Sequence, residues 1–167
     1  MSVSSVLVPA LSRRGGVRFQ GAGRIYGMGE TPEFLVFDCA QLPRIELKSG
    51  IVVFKNSFQP QRPAELPAGF LCVLEAKNLR AAEFLKGTAA AVVTCGTGPK
   101  DTLSVAGLDG GFAAVSLQRN LEPLGGGMLE PHDFTVKLLA KRSPHQILSV
   151  CAVMLIAGVD SSQGYVV

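Results

Sequence analysis

FLCVLEAKNLRAAEFLKGTAAAVVTC, residues 70–95, is the stretch on which the predicted fold depends. Its two ends are continuous apolar runs of strand length, and the segment between them has the periodicity of a helix. Asn78 is suited to cap this helix, and Gly87 is suited to end it. Strand, helix and strand in this order predict a βαβ unit with a right-handed crossover.

Two further apolar runs of the same kind, Phe34–Phe37 and Ile51–Phe54, precede this stretch. Runs without polar alternation are typical of strands that are covered on both faces, as in parallel sheets. The sequence therefore predicts an α/β fold: a mostly parallel, Rossmann-like sheet with flanking helices.

The second half of the chain adds an antiparallel hairpin extension to this prediction. The turn signal Asp109-Gly110-Gly111 separates two runs of strand character, Thr102–Leu108 and Phe112–Asn120. A further strand is predicted over Phe134–Leu138, and a helix is expected from Pro144 to about Ala157.

The first 33 residues are Gly-rich, and a hairpin is predicted there from Val17–Gln20 and Arg24–Tyr26. We expect residues 34–167 to form the α/β domain proper. Since 167 residues correspond to roughly one domain, both parts are expected to belong to a single compact unit.

Composition excludes several classes of protein. With 47% hydrophobic and 17% charged residues, the chain is too apolar to be disordered. The net charge of +3 is scattered, which argues against nucleic-acid binding, and the apolar run Ile147–Val159 is too short to span a bilayer. Four cysteines without a C-x-x-C pair and two histidines predict free thiols in the cytoplasm and no metal site. No secretory signal is evident at the N-terminus.

A loop that follows the run 91–95 is the best candidate for ligand binding, because α/β sheets bind ligands beyond the carboxyl ends of their strands. Its spacing lacks the G-x-x-x-x-G-K-[ST] pattern of a phosphate loop, so a simple turn is an open alternative. The candidate residues here are Cys95, Gly96, Thr97, Gly98, Lys100, Asp101 and Thr102. We assign no catalytic residue, cofactor or metal ligand.

Read in order, these segments resemble the latter part of the central domain of Mur ligases, ATP-dependent enzymes that add amino acids to peptidoglycan precursors. In that family a strand with an acidic end is followed by a strand of the type i-a-V-i-T-N-i, which Phe34–Asp38 and Ile51–Asn56 match. The segment from His145 to Ala152 is similar to the opening of the family's G-x-H-N-x-x-N-A-x-A-A helix. The resemblance covers about residues 34–158 and adds Asn56 and His145 to the candidate ligand-binding residues.

This sequence also departs from the family pattern. No ATP loop occurs in residues 1–33, Ser57-Phe58-Gln59 replace an expected aspartate and histidine, and Gln146 and Ser149 stand at the two helix asparagines. The resemblance therefore implies a degenerate, truncated ligase domain that serves as a non-catalytic binding or assembly module. A small enzyme or ligand sensor that uses the 96–102 loop, with Cys95 or Lys100 as the reactive group, is one alternative. A structural subunit of a larger complex is another.

The partners predicted are an unknown small molecule and a second copy of this chain. If the ligase domain has lost its first βαβ unit, a strand edge and part of a sheet face are uncovered, and such surfaces favour association. A twofold homodimer is the simplest closed assembly.

Overall fold

The computed structural model describes residues 2–60 and 65–167. These residues form three helices and ten strands. In chain order they are α1 (Ser4–Ser12), β1 (Gly16–Gly21), β2 (Arg24–Met28), β3 (Pro32–Asp38), β4 (Ser49–Val53), β5 (Gly69–Glu75), α2 (Leu79–Leu85), β6 (Ala91–Gly96), β7 (Leu103–Asp109), β8 (Phe112–Leu117), β9 (His132–Lys137), α3 (Pro144–Ile156) and β10 (Tyr165–Val166).

Seven strands form a large mixed sheet in the order β10-β9-β8-β7-β6-β5-β4. Strands β4 to β7 are parallel to one another, β8 is antiparallel to both of its neighbours, and β10 is parallel to β9. The parallel contact between β6 and β7 is short and joins only Cys95 to Leu103 and Gly96 to Ser104.

The remaining three strands form a separate small sheet in the order β2-β1-β3. Strands β1 and β2 are an antiparallel hairpin, which confirms the predicted one. Its two-residue turn has Ala22 and Gly23 at positive φ, the conformation that such turns require. Strand β3 is parallel to β1. The small sheet therefore contains residues from both predicted parts of the chain, 1–33 and 34–167.

Helix α3 lies at the centre of the molecule. Every residue from Gln146 to Ile156 is buried, because the helix packs on β4 to β7 and is also contacted by α1. Helix α1 packs in turn on β1 and β3 of the small sheet. A helix that is apolar around its whole circumference is stable only in such an enclosed position.

Within residues 2–60 and 65–167, the opposite face of the large sheet is covered near β4 and β5. There a second apolar cluster contains Phe54, Cys72, Leu74, Ala81 and Leu85, contributed by the β4 and β5 segments and by α2. Strands β8 and β9 alternate between buried and exposed residues, whereas β7 is buried at its start and exposed from Ala106 to Asp109.

The predicted mostly parallel, Rossmann-like sheet with flanking helices is therefore wrong. The sheet is mixed because β8 is antiparallel to both of its neighbours; α2 connects the adjacent parallel strands β5 and β6, as in the predicted βαβ unit, and the central helix α3 connects β9 to the parallel β10. Run 34–37 belongs to the small sheet, and in β6 the side chain of Val92 is 42% exposed while Val93 is buried. Continuous apolar residues thus did not signify cover on both faces, which was the premise of the prediction.

Predictions of individual helix ends and turns were confirmed. Helix α2 begins after Asn78, whose side chain accepts a hydrogen bond from the Ala81 amide, and β7 and β8 pair across Gly110 and Gly111 at positive φ. Helix α3 confirms the predicted C-terminal helix. Helix α1 was missed because it contains Pro9; burial of its apolar residues compensates for the lost amide donor. Within the described residues, no helix has the length and apolar character needed to cross a membrane.

Candidate ligand site at the carboxyl ends of β4 and β5

Two residues suggested by the family resemblance, Asn56 and His145, meet at Glu75. Asn56 follows β4, Glu75 ends β5, and His145 lies in the first turn of α3. The Asn56 side-chain amide donates a hydrogen bond to Glu75 Oε2, and His145 Nδ1 lies 3.7 Å from the same oxygen. Lys77 Nζ lies 2.7 Å from the other oxygen, Oε1. We call these four residues the Glu75 cluster.

The cluster controls the charge of its members. Burial would raise the pKa of the Glu75 carboxyl, but hydrogen bonds from Lys77 and Asn56 and the charges of His145 and Lys77 outweigh burial and hold that pKa below its usual value. Burial lowers the pKa of His145, the Glu75 charge opposes this shift, and Lys77 adds to it. At neutral pH, Glu75 is therefore ionised and His145 is uncharged.

Asn78 fixes the loop after β4 to the start of α2. Its Nδ2 donates to the Lys55 carbonyl oxygen at 3.0 Å, and its Oδ1 accepts from the Ala81 amide at 3.2 Å. The side chain is buried, so both of its polar ends require such partners. This single residue therefore sets the position of Asn56 relative to the segment that carries Lys77.

A shallow depression of about 380 Å³ lies beside the cluster. Its lining residues are Asn56, Lys77, Asn78, Leu79 and Arg80. Lys77 and Arg80 are exposed, and the Leu79 side chain is 75% exposed at the rim. The depression therefore presents two cations, the Asn56 amide and one apolar contact to solvent.

A second polar contact ties this edge to the small sheet. Lys55 Nζ forms an ion pair with Asp38, and the Ser4 hydroxyl donates to the other Asp38 oxygen. Burial would raise the pKa of Asp38, but the hydrogen bonds from Lys55 and Ser4 and the charge of Lys55 lower it overall. The end of β3, the start of α1 and the loop after β4 are thus joined through one carboxylate.

The 96–102 loop forms hydrogen bonds within itself, to Thr94 of β6 and to the Gln118 side chain directly after β8. The Asp101 carboxylate accepts from the Gly98 amide at 2.9 Å and occupies the space beside Gly96, where a Cβ would overlap it. The Thr102 amide donates to the Thr94 carbonyl at 3.0 Å. The Gln118 side chain, which follows β8, donates to the Gly98 carbonyl oxygen at 3.2 Å.

The other predicted residues of this loop are divided between core and surface. Cys95 is fully buried, and burial, together with the charges of Asp101 and Glu75, raises the pKa of its thiol to about 12. A thiolate is therefore strongly disfavoured there, which argues against a nucleophilic role. Thr97 and Lys100 are exposed, and neither belongs to the Glu75 cluster.

Sequence reasoning missed Glu75 and Lys77. The signal was the pattern Glu-Ala-Lys directly after the run 70–74, which places a carboxylate and an ammonium group where a parallel strand ends. This pattern points to a site only when the start of α3 is known to lie beside β5, because His145 of α3 is then in contact with Glu75. Among the described residues, no group of three His, Cys, Asp or Glu side chains is arranged to hold a metal ion.

No family model and no curated protein sequence matches this chain. Among solved structures it is similar to a murein peptide ligase, Mpl, from Psychrobacter arcticus 273-4. The TM-score is 0.53 at 9% sequence identity, with 96% of this chain and 41% of the ligase covered. The chain thus spans less than half of the ligase. The similarity is one of fold, and it agrees with the resemblance to Mur ligases drawn from the sequence motifs.

Proposed function

We propose that this protein is a small-molecule-binding module, a degenerate relative of the central domain of Mur ligases, and that its ligand site is non-catalytic. The ligand site is the depression beside the Glu75 cluster. The 167 residues contain no G-x-x-x-x-G-K-[ST] loop to hold a triphosphate, which supports a binding role without ATP chemistry. Four free cysteines, three of them buried, support a cytoplasmic location.

The observation that carries this proposal is the saturation of the Glu75 carboxylate. Side chains from three separate segments, Asn56, Lys77 and His145, contact its two oxygens. A general base or acid needs a carboxyl group that can reach the substrate with its proton affinity raised toward neutrality, whereas the pKa of Glu75 is lowered. Glu75 therefore serves to position the donors around it.

The ligand class follows from those donors. Lys77 and Arg80 present positive charge, and the exposed amide of Asn56 also lines the depression. We infer a small anionic ligand with polar substituents, since cations and amides together recognise phosphate or carboxylate oxygens. The depression is open to solvent, so we expect modest affinity.

Chemical-shift mapping with inorganic phosphate, a sugar phosphate, a dicarboxylate and a nucleotide tests this site. We expect shifts at residues 55–56 and 77–80 for at least one of these anions. Arg80→Ala should weaken binding at least several-fold, whereas Lys86→Ala, at the far end of α2, should leave it unchanged. Shifts confined to other regions would refute the site.

Two controls separate the alternatives. Titration with Mg-ATP should give no hydrolysis, because nothing in the cluster is arranged to activate a phosphoryl group. Lys100→Ala tests the competing reading, in which the 96–102 loop binds the ligand or performs chemistry. A loss of binding or turnover in this variant, with Arg80→Ala unaffected, would favour that reading.

We also propose that a second copy of this chain covers the outer face of the small sheet, formed by Ile25, Leu35 and Phe37. These side chains are 80%, 67% and 58% exposed and lie on the same face of the sheet, in β2 and β3 on either side of β1. Burying them in a twofold contact would contribute about 4 kcal/mol per copy. Association itself costs about 4–15 kcal/mol, so the expected dimer is weak and depends on concentration.

A further inference from the structure

A second polar cluster lies toward the other end of the large sheet, near β9 and β10, and is separate from the Glu75 cluster. His132 is the first residue of β9, and Ser161 lies in the loop between α3 and β10. His132 Nε2 is 2.8 Å from Ser161 Oγ. His132 Nδ1 is 2.7 Å from the backbone carbonyl oxygen of Glu130.

These contacts define the hydrogen positions in the neutral ring. A carbonyl oxygen only accepts, so Nδ1 of His132 carries the hydrogen and donates it to Glu130. Nε2 is then unprotonated and accepts the hydrogen bond from the Ser161 hydroxyl. In an activated serine nucleophile, the hydroxyl is hydrogen-bonded to an imidazole, and a third group orients that imidazole.

Both members of the pair are held by packed neighbours. The His132 ring lies 5.7 Å, between centroids, from the ring of Phe134. The Ser161 carbonyl accepts from the Gly164 amide at 2.8 Å, and the Tyr165 hydroxyl donates to the Val159 carbonyl at 2.7 Å. These contacts fix the loop from both sides of Ser161.

A cavity of about 440 Å³ adjoins this serine. Its lining includes Ser161, Gly125 and Gly126, together with the apolar side chains of Leu129 and Val159. The two glycines have no side chains to obstruct a small molecule that approaches Ser161. Asp160, which also lines the cavity, is exposed to solvent and disfavours anions there.

We propose that Ser161 and His132 form a nucleophile–base pair that transfers small neutral acyl groups from esters to water. Ser161 Oγ attacks the ester carbonyl carbon while its proton moves to His132 Nε2. The carbon–oxygen bond to the leaving alcohol then breaks, and His132 returns the proton to that oxygen. Water, deprotonated by His132, attacks the acyl-serine, and collapse of the adduct releases the carboxylic acid and restores the serine hydroxyl.

The substrate class follows from the lining of the cavity. Leu129 and Val159 suit a short apolar acyl chain, and the carboxylate of Asp160 favours neutral over anionic esters. This activity is independent of the proposed anion site, because the two sites share no residue.

Covalent labelling of the intact 167-residue chain with a fluorophosphonate, followed by peptide mass analysis, tests the proposal. We expect the phosphonyl group on Ser161, with displacement of fluoride. Ser162 is the matched control, because it is adjacent and exposed but is hydrogen-bonded to Asp160 and not to an imidazole. Label on Ser162, on both serines equally, or on neither overturns the proposal.

Variants distinguish a nucleophile from a structural contact. Hydrolysis of p-nitrophenyl acetate should fall about a hundredfold or more in Ser161→Ala and in His132→Gln, and should be unchanged in Ser162→Ala. If Ser161→Ala unfolds, Ser161→Cys retains a nucleophile in place, and its alkylation by iodoacetamide should be faster with His132 than with His132→Gln. Equal alkylation rates, or equal hydrolysis in the wild-type protein and folded Ser161→Ala, would show that the contact is structural only.

Discussion

Replacing Glu75 by glutamine removes one charge from the centre of the proposed ligand site and leaves the shape of the side chain nearly unchanged. The Glu75 side chain is 15% exposed and contacts Asn56, Lys77 and His145. Each contact changes in a different way, so the substitution tests the electrostatic description of the cluster as well as its contribution to stability.

The substitution should lower the free energy of unfolding by a small amount, which can be estimated contact by contact. The pair with Lys77 contributes about 0–1 kcal/mol, because the Lys77 side chain is 78% exposed and solvent screens its charge. The hydrogen bond from Asn56 weakens by about 1 kcal/mol when its acceptor becomes neutral. A total of about 1–2 kcal/mol corresponds to a fall in Tm of about 2–8 °C for a domain of this size.

The dependence on pH gives a sharper result. The pKa of Glu75 in the folded protein is below its usual value of 4.5, so its stabilisation is complete above pH 4.5 and is lost as the pH falls through the folded value. The Tm difference between wild type and Glu75→Gln should therefore narrow below pH 4.5. As the pH falls from neutral to 4.5, the Tm difference should widen. Without the Glu75 charge, folded Glu75→Gln binds a proton at His145 less readily than the folded wild type, so the variant loses more stability over this range.

Thermal unfolding followed by circular dichroism from pH 3 to 7 measures these differences, and NMR titration of the imidazole protons follows His145 directly. Because the Glu75 charge raises the pKa of His145 against the effect of burial, Glu75→Gln should lower that pKa further. Glu83→Gln, an exposed carboxylate paired with Lys86 on α2, is the control and should change neither quantity. An unchanged His145 titration in Glu75→Gln would refute the description of the cluster.

The remaining predictions concern other parts of the molecule. In the folded protein Cys39 alone should react rapidly with a thiol reagent, since the other three cysteines are buried, and all four should react after denaturation. Gly164→Ala should cost at least about 2 kcal/mol, because its φ is +69° and a Cβ would overlap a backbone carbonyl; Gly110→Ala, at φ +54° with open space, should cost only about 1 kcal/mol. Leu35→Asp should abolish concentration-dependent dimerisation in light scattering without changing Tm, and a wild-type mass near 17.6 kDa at every concentration would contradict the proposed dimer.

Features that depend on a few neighbouring residues could be predicted from the sequence. Asn78 caps α2, and Gly110 and Gly111 form the β7–β8 turn. Each is a local requirement, either a hydrogen bond to an unpaired helix amide or a backbone conformation at positive φ. These requirements stay the same whatever the rest of the chain packs against, so they can be predicted from the local sequence.

The hairpin pairs β1–β2 and β7–β8 and the βαβ pair β5–β6 were predicted, but the pairing of strands that are not joined in these ways could not be predicted. The run 34–37 is as apolar as 70–74, yet β3 pairs with β1 in the small sheet and leaves Leu35 and Phe37 exposed. An apolar run indicates that a strand is favourable, but it does not specify which strand lies beside it or whether a helix covers its second face. The same limit applies to the candidate site, since Glu75 joins Asn56 to His145 only after β4, β5 and α3 are in register.

The position of α2 explains why the fold departs from the predicted one and why the Glu75 cluster lies where it does. In the described part of the chain, the helix on the face opposite α3 is α2, which packs near β4 and β5, and β6 connects to β7 through a short loop with no helix between them. The segment that connects β5 to α2 must therefore turn at the carboxyl edge of the sheet, and this turn brings Lys77 and Asn78 beside Glu75 and the loop after β4. Beyond β6, β8 is antiparallel to both of its neighbours, and the crossover from β9 through α3 to the parallel β10 brings the first turn of α3 to this edge. The carboxyl ends of β4 and β5, the start of α2 and the first turn of α3 thus meet at one place in the sheet. Polar side chains from distant parts of the sequence converge there. The carboxyl ends of parallel strands are also the general location of ligand sites in such sheets.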